Sequence, residues 1–102
     1  MIHVIATVRT AAGRRDDFLA AFRDVVPQVR AEAGCLEYGP AVDLATPIAG
    51  AAAARQDVVT VVEKWESIEA LQNHLAAPHM VRYRETVKNL VAGVEIRVLA
   101  PA

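Results

Sequence analysis

Two histidines and the only tryptophan of the chain lie in one stretch, residues 58–79, and these residue types can act together on an aromatic molecule. They are Trp65, His74 and His79. An imidazole titrates near neutral pH, so it can remove the proton of a phenolic hydroxyl group. An indole can stack on a flat ring. We therefore predict a small pocket around these three side chains, which we take as candidate catalytic residues.

Each candidate also has a structural explanation. A histidine near a helix end often bonds only to backbone or water, and a lone tryptophan often fills the core. Tyr38 and Tyr83 can each offer a hydroxyl group to a bound oxygen atom, and we name them as candidate substrate-binding residues. Tyrosines at strand edges and on amphipathic helices are, however, common without a function.

The sequence contains no signature of a metal or cofactor site. His74 and His79 are five residues apart with Pro78 between them, whereas histidines on one helix face lie three or four apart. A glycine-rich phosphate loop, a GxSxG elbow and a CxxC pair are all missing. The single Cys35 is interpreted as a small buried hydrophobe beside Gly34. We expect no metal and no bound cofactor.

Composition narrows the class of protein. The chain has 102 residues, 54% hydrophobic and 23% charged, with a formal net charge of -1. It is too apolar for disorder and too neutral to attract nucleic acid, and its eleven Lys and Arg form no run that would favour a membrane surface. With no transmembrane stretch and no signal-peptide pattern, we expect a single cytoplasmic domain over residues 1–102.

Hydrophobic periodicity predicts the elements that position the candidate residues. Alternation or β-branched runs predict strands over residues 2–9, 35–43, 58–65 and 94–99. Helical spacing predicts helices from residue 14 onward, over 67–77 and over 80–91, the last ending at Gly93. The loop at residues 45–57 is predicted to be a flap, a single helical turn or a surface insertion.

Local signals refine these elements. Ser67 is expected to cap the second helix, Pro27 to kink or break the first, and Gly34 to end that helix in a left-handed conformation. In the second helix, Ile68, Leu71 and Leu75 are expected to face the core, with His74 on the flank of this stripe. In the second strand, Leu36, Tyr38 and Val42 are expected to share a face.

The element order βαββαβ predicts an α+β ferredoxin-like fold, in which helices cover one face of an antiparallel four-stranded sheet. Residues 58–62 are nevertheless apolar on both faces of their strand. The second sheet face therefore needs a cover, and the simplest cover is the same sheet from another subunit. We predict a homodimer formed through the sheet face.

Three motifs resemble the antibiotic biosynthesis monooxygenase family: GCLEY at residues 34–38, EKWES at 63–67 and HLAAPH at 74–79. The resemblance covers nearly the whole chain. It implies a dimeric α/β barrel with a pocket between sheet and helices in each subunit. It also aligns Trp65, His74 and His79 with the family's tryptophan and histidines. Haem-degrading members use an asparagine in the first strand, and residues 3–7 contain none, so haem degradation is disfavoured.

The leading hypothesis is a cofactor-independent monooxygenase that oxidises a hydroxylated aromatic molecule or quinol with O2. One alternative is a cofactor-free isomerase of a small metabolite, which needs a base but no oxygen. Another is a non-catalytic dimeric module that binds a small hydrophobic molecule. Turnover with and without O2 separates the first two, and binding without product identifies the third.

Overall fold

The computed structural model describes residues 1–102 and contains four strands and three helices. In chain order they are β1 Ile2–Thr10, α1 Arg15–Arg30, β2 Cys35–Ala41, β3 Val58–Trp65, α2 Ile68–Ala76, α3 Pro78–Val87 and β4 Val91–Leu99. The strands form one antiparallel sheet in the order β2-β3-β1-β4. This is the predicted ferredoxin-like α+β arrangement.

The core lies between the helices and one face of the sheet. Alternate residues of β1, beginning with Val4 and Ala6, are buried, and their β3 partners Glu63 and Val61 are buried with them. Paired residues on neighbouring strands share a face, so this pattern identifies the helix side of the sheet. From α1 the core receives the buried side chains Phe18, Leu19, Phe22, Val25, Val26 and Val29.

The opposite face of the sheet, which we call the open face, has no helix over it. Its centre carries Ile5 and Val62, which pair across β1 and β3, with Thr7 and Thr60 as the next pair. Val62 is 40% exposed. The open face is thus the surface on which the sequence predicted a second subunit.

A second exposed apolar row lies on β4, at the edge of the sheet. Val94, Ile96 and Val98 pair with helix-side residues of β1, yet their exposed fractions are 46–56%. The helices lie over β2 and β3, so they leave this edge strand uncovered.

The helix termini confirm one local prediction and correct two others. The Ser67 hydroxyl accepts a hydrogen bond from the Ala70 N–H at 3.1 Å, as expected of an N-cap. Helix α1 continues through Pro27 to Arg30, so the predicted break does not occur; the proline lacks only its own N–H, and its carbonyl still accepts the Ala31 N–H. Gly34 has the predicted positive φ, +83°, but α1 ends at Arg30, so Gly34 shapes the turn into β2.

The predicted inward stripe of α2 is wrong at two positions. Leu71 is buried, but Ile68 and Leu75 are exposed, and His74 points into the protein instead. Proline at the first position of α3 limits α2 to nine residues. This short helix is oriented by the contacts of His74 described below.

Two strand boundaries also differ from the prediction. In β2 the register shifts between Cys35 and Glu37, so Tyr38 is buried while Leu36 faces water, and Val42 lies beyond the strand. Residues 91–93, predicted to end the last helix, belong to β4. Pairing with β1 extends this strand and overrides the local helical pattern.

The loop at residues 42–57 contains no helical turn and is exposed almost throughout. A short bridge, which we call the neck, closes its base: the Arg55 guanidinium and backbone N–H donate to the Asp43 carboxylate at 2.8–3.2 Å. These hydrogen bonds lower the pKa of Asp43 to about 2. Arg15 of α1 also donates to the Arg55 carbonyl at 3.2 Å, which holds the neck against the domain.

Candidate functional site

Trp65 and His74 stack in the interior at the junction of β3 and α2. Trp65 ends β3 and is fully buried, and His74 is 2% exposed. Their ring centroids are 4.7 Å apart with an interplanar angle of 35°. Tyr38 contributes its ring edge-on, with its centroid 5.3 Å from His74 and 6.5 Å from Trp65. Three of the five predicted site residues therefore form one aromatic cluster.

His79 joins this cluster through Glu32, a residue that sequence reasoning did not identify. His74 Nδ1 lies 2.8 Å from Glu32 Oε2, and His79 Nε2 lies 2.8 Å from the same oxygen. Glu32 belongs to the turn between α1 and β2, so this single oxygen connects the turn with α2 and α3. The two histidines are five residues apart in sequence. They reach the same oxygen because α2 ends before Pro78 and α3 begins there, so the chain changes direction between them.

The surroundings of His74 favour its neutral form. Burial lowers its pKa, and the hydrogen bond and negative charge of Glu32 partly oppose that effect. A hydrogen bond to a carboxylate requires a proton on His74 Nδ1, which leaves Nε2 with a free lone pair in the neutral ring.

Glu63 is a second carboxyl group at the site that sequence reasoning missed. It is 7% exposed, and its Oε1 accepts the indole N–H of Trp65 at 2.9 Å. Burial raises its pKa to about 7, although the hydrogen bond from Trp65 partly offsets the increase. Glu63 thus exchanges its proton in the pH range in which a histidine would.

Two clefts border residues of the predicted site. A cleft of about 190 Å³ between α1 and α3 is lined by His79 and Tyr83 together with Asp24, Gln28 and Arg82. We call it the α1–α3 cleft. A larger groove of about 510 Å³ runs along the edge strand β2 and includes Tyr38.

The predicted pocket therefore needs one correction. Trp65 and His74 do not line a cavity between helix and sheet, because their own rings and Tyr38 fill that region. His79 is the histidine that borders open space. Tyr83 lies on the far side of Phe22, whose ring stacks on Tyr38 at 5.4 Å and contacts Tyr83 edge-on at 5.9 Å.

Both tyrosines are hydrogen-bond donors at neutral pH. Burial raises the pKa of Tyr38 and of Tyr83, so their hydroxyl groups stay protonated. A protonated phenol hydroxyl group is able to donate a hydrogen bond. No group of three or more His, Cys, Asp and Glu side chains is arranged to hold a metal ion, and no helix is both long enough and apolar enough to span a membrane.

A sequence signal existed for one of the two missed carboxylates. Glu63 alternates with Val59, Val61 and Trp65 on the inward face of β3, so its burial could have been expected. Glu32 lies in a turn, and its role depends on contacts with residues more than 40 positions away. The periodicity of neighbouring residues does not predict contacts over such a distance in sequence.

The chain is similar to known proteins in sequence and in fold. A family model described as "Antibiotic biosynthesis monooxygenase" matches residues 1–86. The chain is 42% identical over 103 residues to the Escherichia coli protein "Probable quinol monooxygenase YgiN", covering 99% of this chain and 98% of that protein.

Two solved structures share the fold over almost the whole chain. PA3566 from Pseudomonas aeruginosa has a TM-score of 0.81 at 27% identity and covers 99% of this chain and 93% of its own. Rv0793 from Mycobacterium tuberculosis has a TM-score of 0.79 at 27% identity and covers 99% of this chain and 94% of its own.

Proposed function

The chain belongs to the antibiotic biosynthesis monooxygenase family, and on that basis we propose that it is a quinol monooxygenase acting on a small hydroxylated aromatic substrate. In the proposed reaction one atom of O2 enters the ring and the other leaves as water, while the ring loses two hydrogens and becomes a quinone. The observation that carries the proposal is the pair of histidines on one carboxylate oxygen beside Trp65, with His79 open to a cleft.

The first chemical step in this scheme is removal of a phenolic proton. His79, backed by His74, takes the proton, and the resulting phenolate is a better electron donor to O2. Tyr83 donates a hydrogen bond to the substrate oxygen in the α1–α3 cleft, and Tyr38 performs this role for a ligand that extends into the β2 groove. Trp65 holds the aromatic cluster and excludes water.

The size of the α1–α3 cleft favours a small substrate. A cavity of roughly 150 Å³ is enough to hold benzene, so the cleft, at about 190 Å³, accommodates one substituted ring.

The test is O2 consumption by the purified protein with a single-ring quinol. His79→Ala should lower kcat/KM by roughly 10²- to 10⁴-fold, the usual contribution of a general base. Gln72→Ala is the control, because Gln72 is exposed on α2 and lies neither in the site nor on the open face. Equal O2 uptake by wild type and His79→Ala would remove His79 from the mechanism.

The same assay separates the rival functions and tests the need for a cofactor. Product formed at full rate without O2 indicates an isomerase. Saturable quenching of Trp65 fluorescence without product indicates a binding module. We expect activity to persist after exhaustive dialysis against a chelator and without added flavin, haem or metal.

We further propose that the protein is cytoplasmic and works as a homodimer whose two open faces pack together, forming an α/β barrel. The apolar and hydroxyl side chains that β1 and β3 place on the open face support this arrangement: Ile5, Thr7, Thr60 and Val62. The only charges beside them on β4, Glu95 and Arg97, neutralise each other in an ion pair. A chain of about 100 residues buries a limited core alone and gains stability from a partner.

A further inference from the structure

We propose that Glu32 is a positioning residue of the active site: its single oxygen Oε2 orients both histidines and stabilises the positive charge formed when one of them takes the substrate proton. The inference rests on the proposed function for the identity of the substrate. The geometry from which it is drawn stands independently of the reaction.

The two histidines share one oxygen atom of Glu32, an arrangement that we call the fork. His74 Nδ1 and His79 Nε2 both lie 2.8 Å from Glu32 Oε2, the short distance typical of charge-assisted hydrogen bonds. The Glu32 side chain is 14% exposed, His79 16% and His74 2%. The carboxylate therefore stands between a cleft-lining histidine and a fully buried one.

This fork selects the tautomer of each ring. Both bound nitrogens must carry hydrogen to donate to the carboxylate, so the free lone pairs lie on His74 Nε2 and His79 Nδ1. When His79 accepts a proton, the substrate O–H bond breaks, an N–H bond forms at Nδ1 and the negative charge stays on the substrate oxygen. The imidazolium is then balanced by Glu32, as the aspartate balances the histidine of a serine-protease triad.

Glu32 is the carboxylate in ion-pair contact with both histidines, whereas Asp24, which also lines the cleft at His79, forms no ion pair with either. The other groups around it are Glu63 from β3, Tyr38 and Cys35 from β2, Arg84 from α3, and Arg30 from α1, which donates to the Tyr38 carbonyl at 3.0 Å. Glu63 carries the same sign of charge, the Tyr38 hydroxyl stays protonated, and Arg84 donates to the Leu75 carbonyl at 2.8 Å. The ion-pair partners of Glu32 are the two histidines.

A purely structural alternative is that Glu32 only fastens α2 and α3 to the turn before β2. One variant separates the two roles, because both hydrogen bonds end on the same oxygen. Glu32→Gln retains a carbonyl oxygen that can accept both N–H groups, while the negative charge is removed. Glu32→Ala removes the charge and both hydrogen bonds.

The experiment compares kcat/KM as a function of pH, together with melting temperature, for wild type, Glu32→Gln and Glu32→Ala. Glu69→Gln is the control for loss of one carboxylate charge, since Glu69 is exposed on α2. We expect Glu32→Gln to melt close to wild type, to lose roughly ten- to a hundredfold in kcat/KM, and to move the acid limb of the profile to lower pH. An unmoved acid limb, or a melting temperature as low as that of Glu32→Ala, overturns the proposal.

A second readout needs no activity. In an NMR titration of the imidazoles, the pKa of His74 should fall further in Glu32→Gln, because the carboxylate is what opposes the effect of burial. An unchanged His74 titration overturns the positioning role whatever the enzyme does. A shifted titration in a protein that consumes no O2 with any quinol upholds that role and overturns the proposed function instead.

Discussion

Glu63 is a carboxyl group buried in the core with only the Trp65 indole N–H as its hydrogen-bond partner. A buried carboxylate without a cation is unfavourable, so the protonated form is preferred until the pH approaches neutrality. Its ordinary pKa of 4.5 is raised to about 7. The folded protein therefore holds this proton over a pH range in which the unfolded chain has released it.

The first prediction is a pH-dependent stability that Glu63→Gln removes. A pKa raised in the folded state stabilises the protein fully below pH 4.5, and the contribution is lost as pH rises through about 7. Relative to Glu63→Gln, the unfolding free energy of wild type should fall by about 3 kcal/mol across this window. Denaturant unfolding of both proteins at several pH values measures the difference.

Two comparisons make this result specific. His74, whose pKa is lowered, changes stability with pH in the opposite direction, but it is present in both proteins and drops out of the difference. Glu66→Gln, an exposed neighbour, should give a nearly flat difference. A flat difference for Glu63→Gln would show that its carboxyl titrates normally.

At the scale of single residues, the sequence predicted the site residues that are recognisable by type. It missed the two carboxylates whose roles depend on contacts with distant residues. Trp65, His74 and His79 are rare residue types in one stretch, and the structure brings them together. Glu32 and Glu63 are ordinary carboxylates among twelve acidic residues. Only long-range packing distinguishes them from the solvated ones.

Among the elements, the turn that carries Glu32 depends on Gly34. Gly34 has φ +83°, and a Cβ atom built on it would lie 2.6 Å from the Cβ of Ala70 in α2. The turn can approach α2 closely only because no side chain is present. This approach places Glu32 within reach of His74.

The second prediction compares alanine at two glycines with similar φ. Gly13, at φ +72°, has no atom within 4 Å of a built Cβ, so Gly13→Ala should cost about 1–2 kcal/mol from backbone strain alone. Gly34→Ala should cost roughly 1–3 kcal/mol more, because it also forces α2 away. Thermal or denaturant unfolding gives both values, and equal losses would show that α2 yields without strain.

Hydrophobic periodicity located every strand and helix but not their exact limits or facing. The inward face of α2 was assigned to Ile68 and Leu75 because periodicity treats a histidine as polar. In the structure the hydrogen bond to Glu32 and the stack on Trp65 bury His74 instead. The β2 register shift and the early start of β4 likewise arise from pairing with distant strands, which a local window does not contain.

For the whole molecule, the proposed dimer buries one of the two exposed apolar surfaces, the open face, and leaves the β4 row exposed. The open face should become buried, whereas the β4 row at Val94, Ile96 and Val98 lies on the other side of the sheet. Stable interfaces bury on the order of 1,000 Å² or more, and the centre of the four-stranded sheet is a broader surface than a single edge row.

The third prediction concerns sedimentation. Wild type should sediment as a dimer, and Val62→Lys should shift it to the monomer while leaving the far-UV circular dichroism unchanged. Val81→Lys is the control, because Val81 is 54% exposed on α3, away from the open face. A monomeric wild type contradicts the dimer. Dissociation by Ile96→Lys but not by Val62→Lys would instead locate the interface on β4.

The neck at Asp43 and Arg55 has a consequence for how this protein can change over generations or in the laboratory. The hydrogen bonds between Asp43 and Arg55 hold the two ends of the loop together. Residues 44–54 between them are exposed and belong to no strand, so they form a surface loop that contributes little to the stability of the sheet. Doubling the length of such a loop costs only about 0.6 kcal/mol of closure entropy. Insertions of new sequence, such as an affinity tag or a recognition peptide, should be tolerated between Ile48 and Ala53.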